Sequence, residues 1–551
     1  MLPPPPAAPI LPTSRRSALK LGLLGLGGLA APLAAQAAGD GFTHGVASGE
    51  PGADGVLLWT RYRSGGETRL TWELAETQDF ARPAASGEAL ASPERDHCAK
   101  ARASGLAPGR WYYYRFVAPN GETSCIGRTR TLPAGPTARF RIAVFSCSNF
   151  AFGWFNAYAH AAEAGDFDLA VHLGDYFYEY ERGEYPAPKE ALGGRELWPA
   201  GETVALADYR ARLATYRADA DLRRLHQLYP MVAMQDDHES ANDAWQNGAE
   251  NHQSAAEGDW AVRKAASQRA WREWMPVSDD EDWARYDIGD LATLYRLETR
   301  LVARSEPLDL AKVLAGAKPG EAEAALAAFR DGAWRDSGRE LLGARQRDWL
   351  AADLARSARS GRPWQVLGQQ IVMGSLAMPG VIGEGLSDKT PEWLRRRITA
   401  MLAASKAGIP LNMDAWDGYP AERERLYRAA LEAGASLLVL AGDSHNAWAF
   451  DLDHQGARVG VEMAAHSVTS PGAEHSLPWV APDALASSAV ARNPQLKWCD
   501  TARRGYLAVE LTPSSATGEW RFLASVRERS TALAGTHRMT VLAGVRKFAA
   551  G

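Results

Sequence analysis

The sequence predicts an α/β fold preceded by a small β-sandwich domain of fibronectin or immunoglobulin type. Up to residue 132, short strand-like segments are separated by turn signals roughly every ten residues. Beyond residue 136, apolar strand-like segments alternate with helical ones, and four of these strands end in polar clusters. At 551 residues the chain is long enough for two or three domains.

Residues 1–37 are predicted to be an export signal. Arg15 and Arg16 precede an apolar, glycine-rich run from Leu21 to Ala31, and residues 35–37 are small, as a cleavage site requires. Paired arginines are typical of twin-arginine signals, which export folded proteins; a Sec signal is the alternative. The prediction is a periplasmic or secreted protein. No other stretch approaches the ~20 apolar residues of a membrane span.

The β-sandwich is predicted over residues 38–134, with strands at Gly55–Arg61, Leu70–Leu74 and Trp111–Phe116. Two of the four cysteines, Cys98 and Cys125, fall in this domain, so a disulfide between them is possible in an exported protein. A short linker, residues 133–136, joins this domain to the next.

The second domain is predicted over residues 138–530, followed by a tail at 531–551. Its sequence predicts a long Gly- and Pro-rich loop at 183–203, helices at 207–227, 262–274 and 321–329, and closing strands at 505–511 and 519–526. The formal net charge of −5 gives no reason to expect a nucleic-acid partner or a basic membrane-binding patch.

Four apolar strands are each followed by residues that can bind metals. The four segments are Phe140–Phe145 before Ser146-Cys147-Ser148-Asn149, Phe167–Leu173 before Gly174-Asp175-Tyr176-Phe177-Tyr178, Pro230–Met234 before Gln235-Asp236-Asp237-His238-Glu239, and Ser436–Ala441 before Gly442-Asp443-Ser444-His445. Ligands of open α/β sheets bind beyond the carboxyl ends of strands, so these four clusters are expected to meet. Each cluster alone could be a helix cap next to a histidine that is merely hydrogen-bonded within the fold.

Metals explain the residue types. Several carboxylates brought together out of water cost several kcal/mol per charge unless a cation compensates them. Asp175, first after its strand, suits a carboxylate that bridges two metals, and Tyr178 lies three residues further on. A phenolate suits Fe³⁺ and histidine suits transition metals, whereas oxygen-only sites suit Ca²⁺, Mg²⁺ or Mn²⁺. The mixture predicts two unlike metals.

These motifs, together with Asn412–Tyr419, resemble those of the PhoD-type alkaline phosphatases of the metallophosphoesterase superfamily. The resemblance implies a four-layer α/β/β/α sandwich core and a centre of Fe³⁺ and Ca²⁺. It also implies that Cys147, Asp175 and Tyr178 bind iron. Three further ligands would complete the metal cluster: Asp237, Asp443 and His445.

Some positions leave alternatives open. Cys147 is interpreted as a ligand rather than as a disulfide partner or an inert thiol. Asp236-Asp237-His238 and Gly442-Asp443 carry carboxylates where the wider superfamily has amide or nitrogen donors, and this difference favours a hard ion such as Ca²⁺. Glu298 stands where relatives are expected to have Asp.

The predicted reaction is hydrolysis of phosphate mono- and diesters by a metal-activated water, at alkaline pH by resemblance. His238 is predicted to contact the phosphate or to protonate the leaving group. Arg300 is predicted to reach the substrate, with a salt bridge as the alternative. Asn149 and Asn242 are predicted to bind substrate, although both could make turns or caps.

Two other functions remain open. One is a phospholipase D-like phosphodiesterase that acts on phospholipids, so the predicted substrates are small phosphate esters or lipids. The other is a secreted binding protein with a degenerate, metal-free core, which would show gaps in the ligand set.

Overall fold

The computed structural model describes residues 41–315, 321–387, 390 and 392–550. The predicted export signal lies outside these residues. Within them, no helix is both long and apolar enough to cross a bilayer.

The chain forms twenty strands and thirteen α-helices over these ranges. The strands are β1 (Gly41–Gly49), β2 (Gly55–Arg63), β3 (Thr68–Ala75), β4 (Ala85–Ala91), β5 (Cys98–Ser104), β6 (Trp111–Val117), β7 (Gly127–Arg130), β8 (Phe140–Phe145), β9 (Leu169–His172), β10 (Pro230–Ala233), β11 (Ala284–Ile288), β12 (Ala292–Arg296), β13 (Trp364–Gly368), β14 (Leu437–Ala441), β15 (Ala447–His454), β16 (Ala457–Ala464), β17 (Leu496–Asp500), β18 (Gly505–Leu511), β19 (Ser515–Leu523) and β20 (Leu533–Leu542). The helices are α1 (Asn156–Ala164), α2 (Leu206–Arg217), α3 (Ala220–Leu228), α4 (Ser254–Glu257), α5 (Trp260–Trp274), α6 (Leu310–Ala315), α7 (Ala322–Asp331), α8 (Gly343–Arg359), α9 (Val381–Glu384), α10 (Glu392–Lys406), α11 (Pro420–Glu432), α12 (Ala473–Ser476) and α13 (Pro482–Arg492).

Two large sheets form the centre of the molecule. One has nine strands in the order β20-β19-β18-β8-β9-β10-β1-β2-β5, and the other has seven in the order β11-β12-β13-β14-β16-β15-β17. Alternate side chains of each strand point to opposite faces. Val144 of the first sheet and Leu438 of the second lie in the same hydrophobic cluster. The two sheets therefore pack face to face.

Helices cover the outer face of each sheet. Phe145 of the first sheet packs with Leu213 of α2, and Val439 of the second sheet packs with Leu350 of α8. The four layers are thus helix, sheet, sheet and helix, and the predicted α/β/β/α core is confirmed.

The amino-terminal strands form a sandwich that shares a sheet with this core. A third sheet, β4-β3-β6-β7, packs on β1, β2 and β5, with Trp72 and Leu58 in the common interior. β1 in turn pairs in parallel with β10, through Ser48 with Pro230 and Gly49 with Met231. The first large sheet therefore runs from the sandwich into the core without a break.

Three details differ from the sequence-based expectations. The predicted helix at 207–227 is two helices, because the Asp219 carboxylate accepts the N–H groups of Asp221 and Leu222 and starts a new helix there. The predicted tail contains β20, which pairs with β19 at the edge of the first sheet. No disulfide forms, since all four cysteines, each of them among the described residues, are free thiols.

The Cys98–Cys125 disulfide that the sequence left possible is therefore absent from this structure. Cys98 begins β5 in the first large sheet, whereas Cys125 lies between β6 and β7 of the third sheet. Cys98 is buried and Cys125 is exposed.

Candidate metal centre

The four predicted strand ends meet, but they come from two sheets. β8, β9 and β10 are parallel neighbours in the nine-stranded sheet, so their carboxyl ends share one edge. β14 belongs to the facing sheet. A hydrogen bond of 3.3 Å from the backbone N–H of Asp443 to Oγ of Ser146 joins the end of β14 to the end of β8.

Four of the predicted ligands have left-handed backbone conformations. The φ angles are 58° at Cys147, 51° at Asp175, 59° at Asp443 and 61° at His445. Non-glycine residues in this region cost of order 1–3 kcal/mol each and persist where the surrounding structure imposes them. Such residues cluster at functional sites, so this backbone geometry supports one for the strand ends.

The end of β9 lies very close to the end of β10, and a glycine permits the approach. Gly174 has φ of 111°, and a Cβ placed on it would lie 2.4 Å from Cβ of Asp236. Glu239 secures the same junction, since its carboxylate accepts the N–H groups of Asp175 at 3.2 Å and Asp236 at 2.7 Å.

Three sets of donor atoms are close enough to hold metal ions, and they share members. The sets, within each of which the donor atoms lie within 4.8 Å of one another, are Cys147 with Asp175 and His445, Asp175 with Asp237 and His238, and Asp236 with Asp237 and Asp443. Asp175 links the first set to the second, and Asp237 links the second to the third. All seven side chains are buried.

Tyr178 joins the first set. Its phenol oxygen lies 3.1 Å from Oδ2 of Asp175, 3.1 Å from Nε2 of His445 and 2.6 Å from Oγ of Ser470. Nδ1 of His445 donates to the carbonyl oxygen of Pro471 at 2.7 Å, so Nε2 carries the lone pair that faces the set. Burial lowers the pKa of His445 to about 3, which keeps its ring neutral and able to bind a metal.

The charges and unpaired atoms of these residues fit a cation. Burial, together with nearby carboxylates, raises the pKa of Asp175 well above its usual value and that of Asp443 to about 6. Among the described residues, no group donates a hydrogen bond to Oδ1 of Asp175 or Oδ2 of Asp236. Unpaired buried carboxylate oxygens are costly, and a multivalent cation removes that cost.

Arg300 lies at the centre of the acidic side chains, fully buried. It forms ion pairs with Asp236, with Asp414 at 2.7 Å and with Asp443 at 3.2 Å. Glu298 holds the loop that carries it, because its carboxylate accepts the backbone N–H groups of Arg300 at 2.9 Å and of two residues beyond. The salt-bridge alternative for Arg300 thus describes its contacts in this structure.

His238 is held by a carboxylate that sequence reasoning did not single out. Nδ1 of His238 lies 2.7 Å from Oε2 of Glu179, whose other oxygen accepts the N–H of Asn242 at 2.7 Å. Burial alone would lower the pKa of His238, but the carboxylates of Asp237 and Glu179 raise it well above its usual value. Glu179 follows Tyr178 directly in the sequence, and this adjacency was the available signal.

Asp414 was also missed as a site residue. It belongs to the segment Asn412–Tyr419, which the sequence offered as part of the family resemblance, and its ion pairs with Arg300 and Arg304 place it at the site. Only the folded chain brings these residues together, since 114 positions separate Asp414 from Arg300.

A cavity of about 620 Å³ lies beside the centre, and His238, His445 and Asn242 line it. The structure therefore brings Asn242 to the site. Asn149 does not line this cavity: its side chain accepts the N–H of Phe152 at 3.1 Å and donates to the carbonyl of Tyr185. Asn149 therefore makes a turn, which was the alternative to substrate binding in the sequence analysis.

A four-layer α/β/β/α sandwich with linked, buried metal donors at its strand ends defines a metal-dependent hydrolase of phosphate esters. The chain belongs to the PhoD-like phosphatase family, which it matches over residues 142–520, and residues 28–133 match the N-terminal domain of PhoD-like phosphatases. It is 30% identical over 517 residues to alkaline phosphatase D of Bacillus subtilis (strain 168), covering 89% of this chain and 79% of that protein. A solved structure of PhoD superposes with a TM-score of 0.74 at 28% identity, covering 92% of this chain and 91% of the other.

Proposed function

We propose that the chain hydrolyses phosphate monoesters and diesters at a mixed centre of Fe³⁺ and Ca²⁺. The observation that carries the proposal is the position of Asp175, which belongs to two donor sets and has one oxygen without a hydrogen-bond donor among the described residues. A carboxylate shared in this way is suited to bridge two metals. The chemistry of the donors supports two unlike ions.

Cys147, Asp175 and Tyr178 would hold iron, because thiolate and phenolate donors suit Fe³⁺ better than Ca²⁺. His445, whose Nε2 lies 3.1 Å from the phenol oxygen, would complete that side. Asp237 and Asp443 would hold calcium, a hard ion that prefers carboxylate oxygens. When bound, the metals would polarise the phosphoryl group and lower the pKa of water.

His238 would act on the leaving group. The Glu179 carboxylate fixes its Nδ1, so Nε2 is the nitrogen available to the substrate. A side chain at the cavity wall with a carboxylate partner can hold a proton for a departing alkoxide.

Arg300 would position the acidic ligands rather than touch substrate. Its guanidinium is occupied by Asp236, Asp414 and Asp443, and its side chain has no exposed surface. Asn242 would contact substrate from the cavity wall, while Asn149 would hold the loop that follows Cys147.

Two further expectations from the sequence are part of the proposal. The amino-terminal residues would form a twin-arginine signal that sends the loaded protein to the periplasm or the exterior. Action on phospholipids, in the manner of phospholipase D, stays a prediction of the sequence.

Elemental analysis with visible spectroscopy tests the centre. Purified protein is expected to contain iron and calcium and to show a charge-transfer band that Tyr178→Phe shifts or removes, while Tyr113→Phe, in the β-sandwich, leaves it unchanged. Hydrolysis of 4-nitrophenyl phosphate and bis(4-nitrophenyl) phosphate tests the activity. A protein that binds neither metal, yet cleaves both esters, would contradict the proposal.

A further inference from the structure

The cavity beside the metal centre has walls of two chemical kinds. The part that borders the centre is polar and includes His238, Asn242 and His445. Another part is made of six apolar side chains, namely Leu376, Met378, Ile382, Leu411, Leu477 and Leu485. All but Leu376 belong to or pack on one hydrophobic cluster, whereas Leu376 packs on a neighbouring one. The backbone N–H of Leu411 donates to the carbonyl oxygen of Leu376 at 2.8 Å, which joins the two parts of the apolar wall.

The cavity is larger than a phosphate group needs. Its volume of about 620 Å³ corresponds to about twenty water-sized groups, within the usual range for ligand pockets. A substrate fills it only if an additional group accompanies the phosphoryl group. The apolar wall favours an apolar group, because moving methylenes from water onto such a surface is favourable.

The charged residues at the wall are mostly acidic. Glu184, Glu190 and Glu250 line the cavity, and no lysine or arginine of the described ranges does so. Glu190 has a partial partner, His475, at 3.6 Å. Glu184 and Glu250 are exposed at the rim, and the Oε2 atom of Glu250 accepts a hydrogen bond from the Asn242 amide at 3.1 Å.

The two rim carboxylates are close enough to influence each other. Burial raises the pKa of Glu184, and the charges of Glu179, Glu181 and Glu250 raise it further. A third negative charge brought to this rim meets the same repulsion.

We propose that this cavity selects phosphodiesters whose second ester arm is apolar and uncharged, with Glu184 and Glu250 discriminating against anionic arms. The inference rests on the proposed phosphoesterase function and adds the class of substrate. The phosphoryl group would lie at the polar wall near His238, and the apolar arm would lie along Leu376 and Leu411.

A homologous series of 4-nitrophenyl alkyl phosphates tests the apolar wall. From the methyl to the butyl and hexyl esters, kcat/KM is expected to rise about two- to fourfold per methylene until the cavity is filled. Leu376→Glu or Leu411→Glu should flatten this rise. Leu431→Glu, a partly buried leucine of α11 outside the cavity, is the matched control and should keep it.

A second pair of substrates tests the rim. A 4-nitrophenyl hexyl phosphate is compared with the ester of equal length that ends in a carboxylate. The wild-type protein should prefer the uncharged arm at least tenfold, and the double variant Glu184→Gln/Glu250→Gln should reduce that preference by about threefold or more at low salt. Glu88→Gln, on β4 of the sandwich, serves as the control.

The outcomes separate the two levels of the proposal. If no ester of the series is cleaved, the proposed function itself fails. If the methyl ester is cleaved but kcat/KM is independent of arm length, the apolar-arm selection is overturned while the function stands. If the double variant keeps the full preference for the uncharged arm, the role of Glu184 and Glu250 is overturned.

Discussion

Oε2 of Glu179 lies 2.7 Å from Nδ1 of His238, and both side chains are buried. A carboxylate in this position fixes the orientation of the imidazole and stabilises its protonated form. Glu179 also accepts hydrogen bonds from the Asn242 N–H and the Asn251 amide. It therefore ties the proton-carrying residue to the cavity wall.

If His238 protonates the leaving group, the loss of activity on removing His238 should depend on how much that leaving group needs a proton. His238→Ala is expected to slow hydrolysis of an alkyl phosphate about 10²-fold or more, and that of 4-nitrophenyl phosphate much less, because 4-nitrophenolate departs without a proton. Glu179→Gln should follow the same pattern more weakly. Steady-state kinetics with both substrates checks this, and equal losses would assign His238 to phosphate binding instead.

Asp175 belongs to two donor sets, so its substitution should lower the binding of both metals. Asp175→Asn is expected to lower iron and calcium content together and to reduce kcat by about 10³-fold. Elemental analysis and circular dichroism separate metal loss from unfolding. Asp79→Asn, at an exposed turn of the sandwich, is the control. Loss of one metal alone would show that Asp175 is not shared.

Arg300 neutralises carboxylates that have little water around them. Arg300→Met should lower the free energy of unfolding by about 3–5 kcal/mol in metal-free protein, because it leaves buried charges unpaired. Added Ca²⁺ should reduce this loss. Arg69→Met, which removes an exposed ion pair with Glu88, should cost less than about 1 kcal/mol. Urea denaturation measures both, and similar values for the two variants would refute the role.

Glu462 predicts a pH effect on stability away from the metal centre. Its carboxylate accepts the N–H groups of Met373 and Gly374, and burial raises its pKa from 4.5 to about 7. The folded state thus holds a proton that the unfolded state releases above pH 4.5. Its stabilising contribution is complete below that pH and is lost as pH rises through about 7.

The expected size of this loss is about 3 kcal/mol. Urea denaturation at pH 4.5 and pH 7.5 should show a smaller difference in unfolding free energy for Glu462→Gln than for the wild type. Glu88→Gln should leave the difference unchanged. An identical difference in all three proteins would mean that Glu462 is already ionised at pH 4.5 in the fold.

The strand ends were predictable because the information is local. Phe140–Phe145 is a short apolar run that stops at a polar cluster, and the observed β8 has the same bounds. Gly505–Leu511 likewise coincides with β18. A strand buried on both faces needs apolar residues throughout, so its limits can be identified in the sequence alone.

Sheet membership was not predictable in the same way. β14 resembles β8 in sequence but lies in the facing sheet, because its partners β13 and β16 are chosen by long-range pairing. The Arg300–Asp414 ion pair is a similar case, since each residue alone resembles a surface charge. Tyr178 was predicted because the three-residue spacing from Asp175 is itself local.

The parallel pairing of β1 with β10 has a consequence for how this protein can be handled. Removal or replacement of the residues before 134 would take away β1 and leave that edge of β10 without a hydrogen-bonded neighbour, a few residues before Asp237 and His238. Exposed strand edges promote aggregation. The amino-terminal sandwich is therefore no exchangeable module: expression designs, domain swaps and directed-evolution libraries must carry it together with the centre it borders.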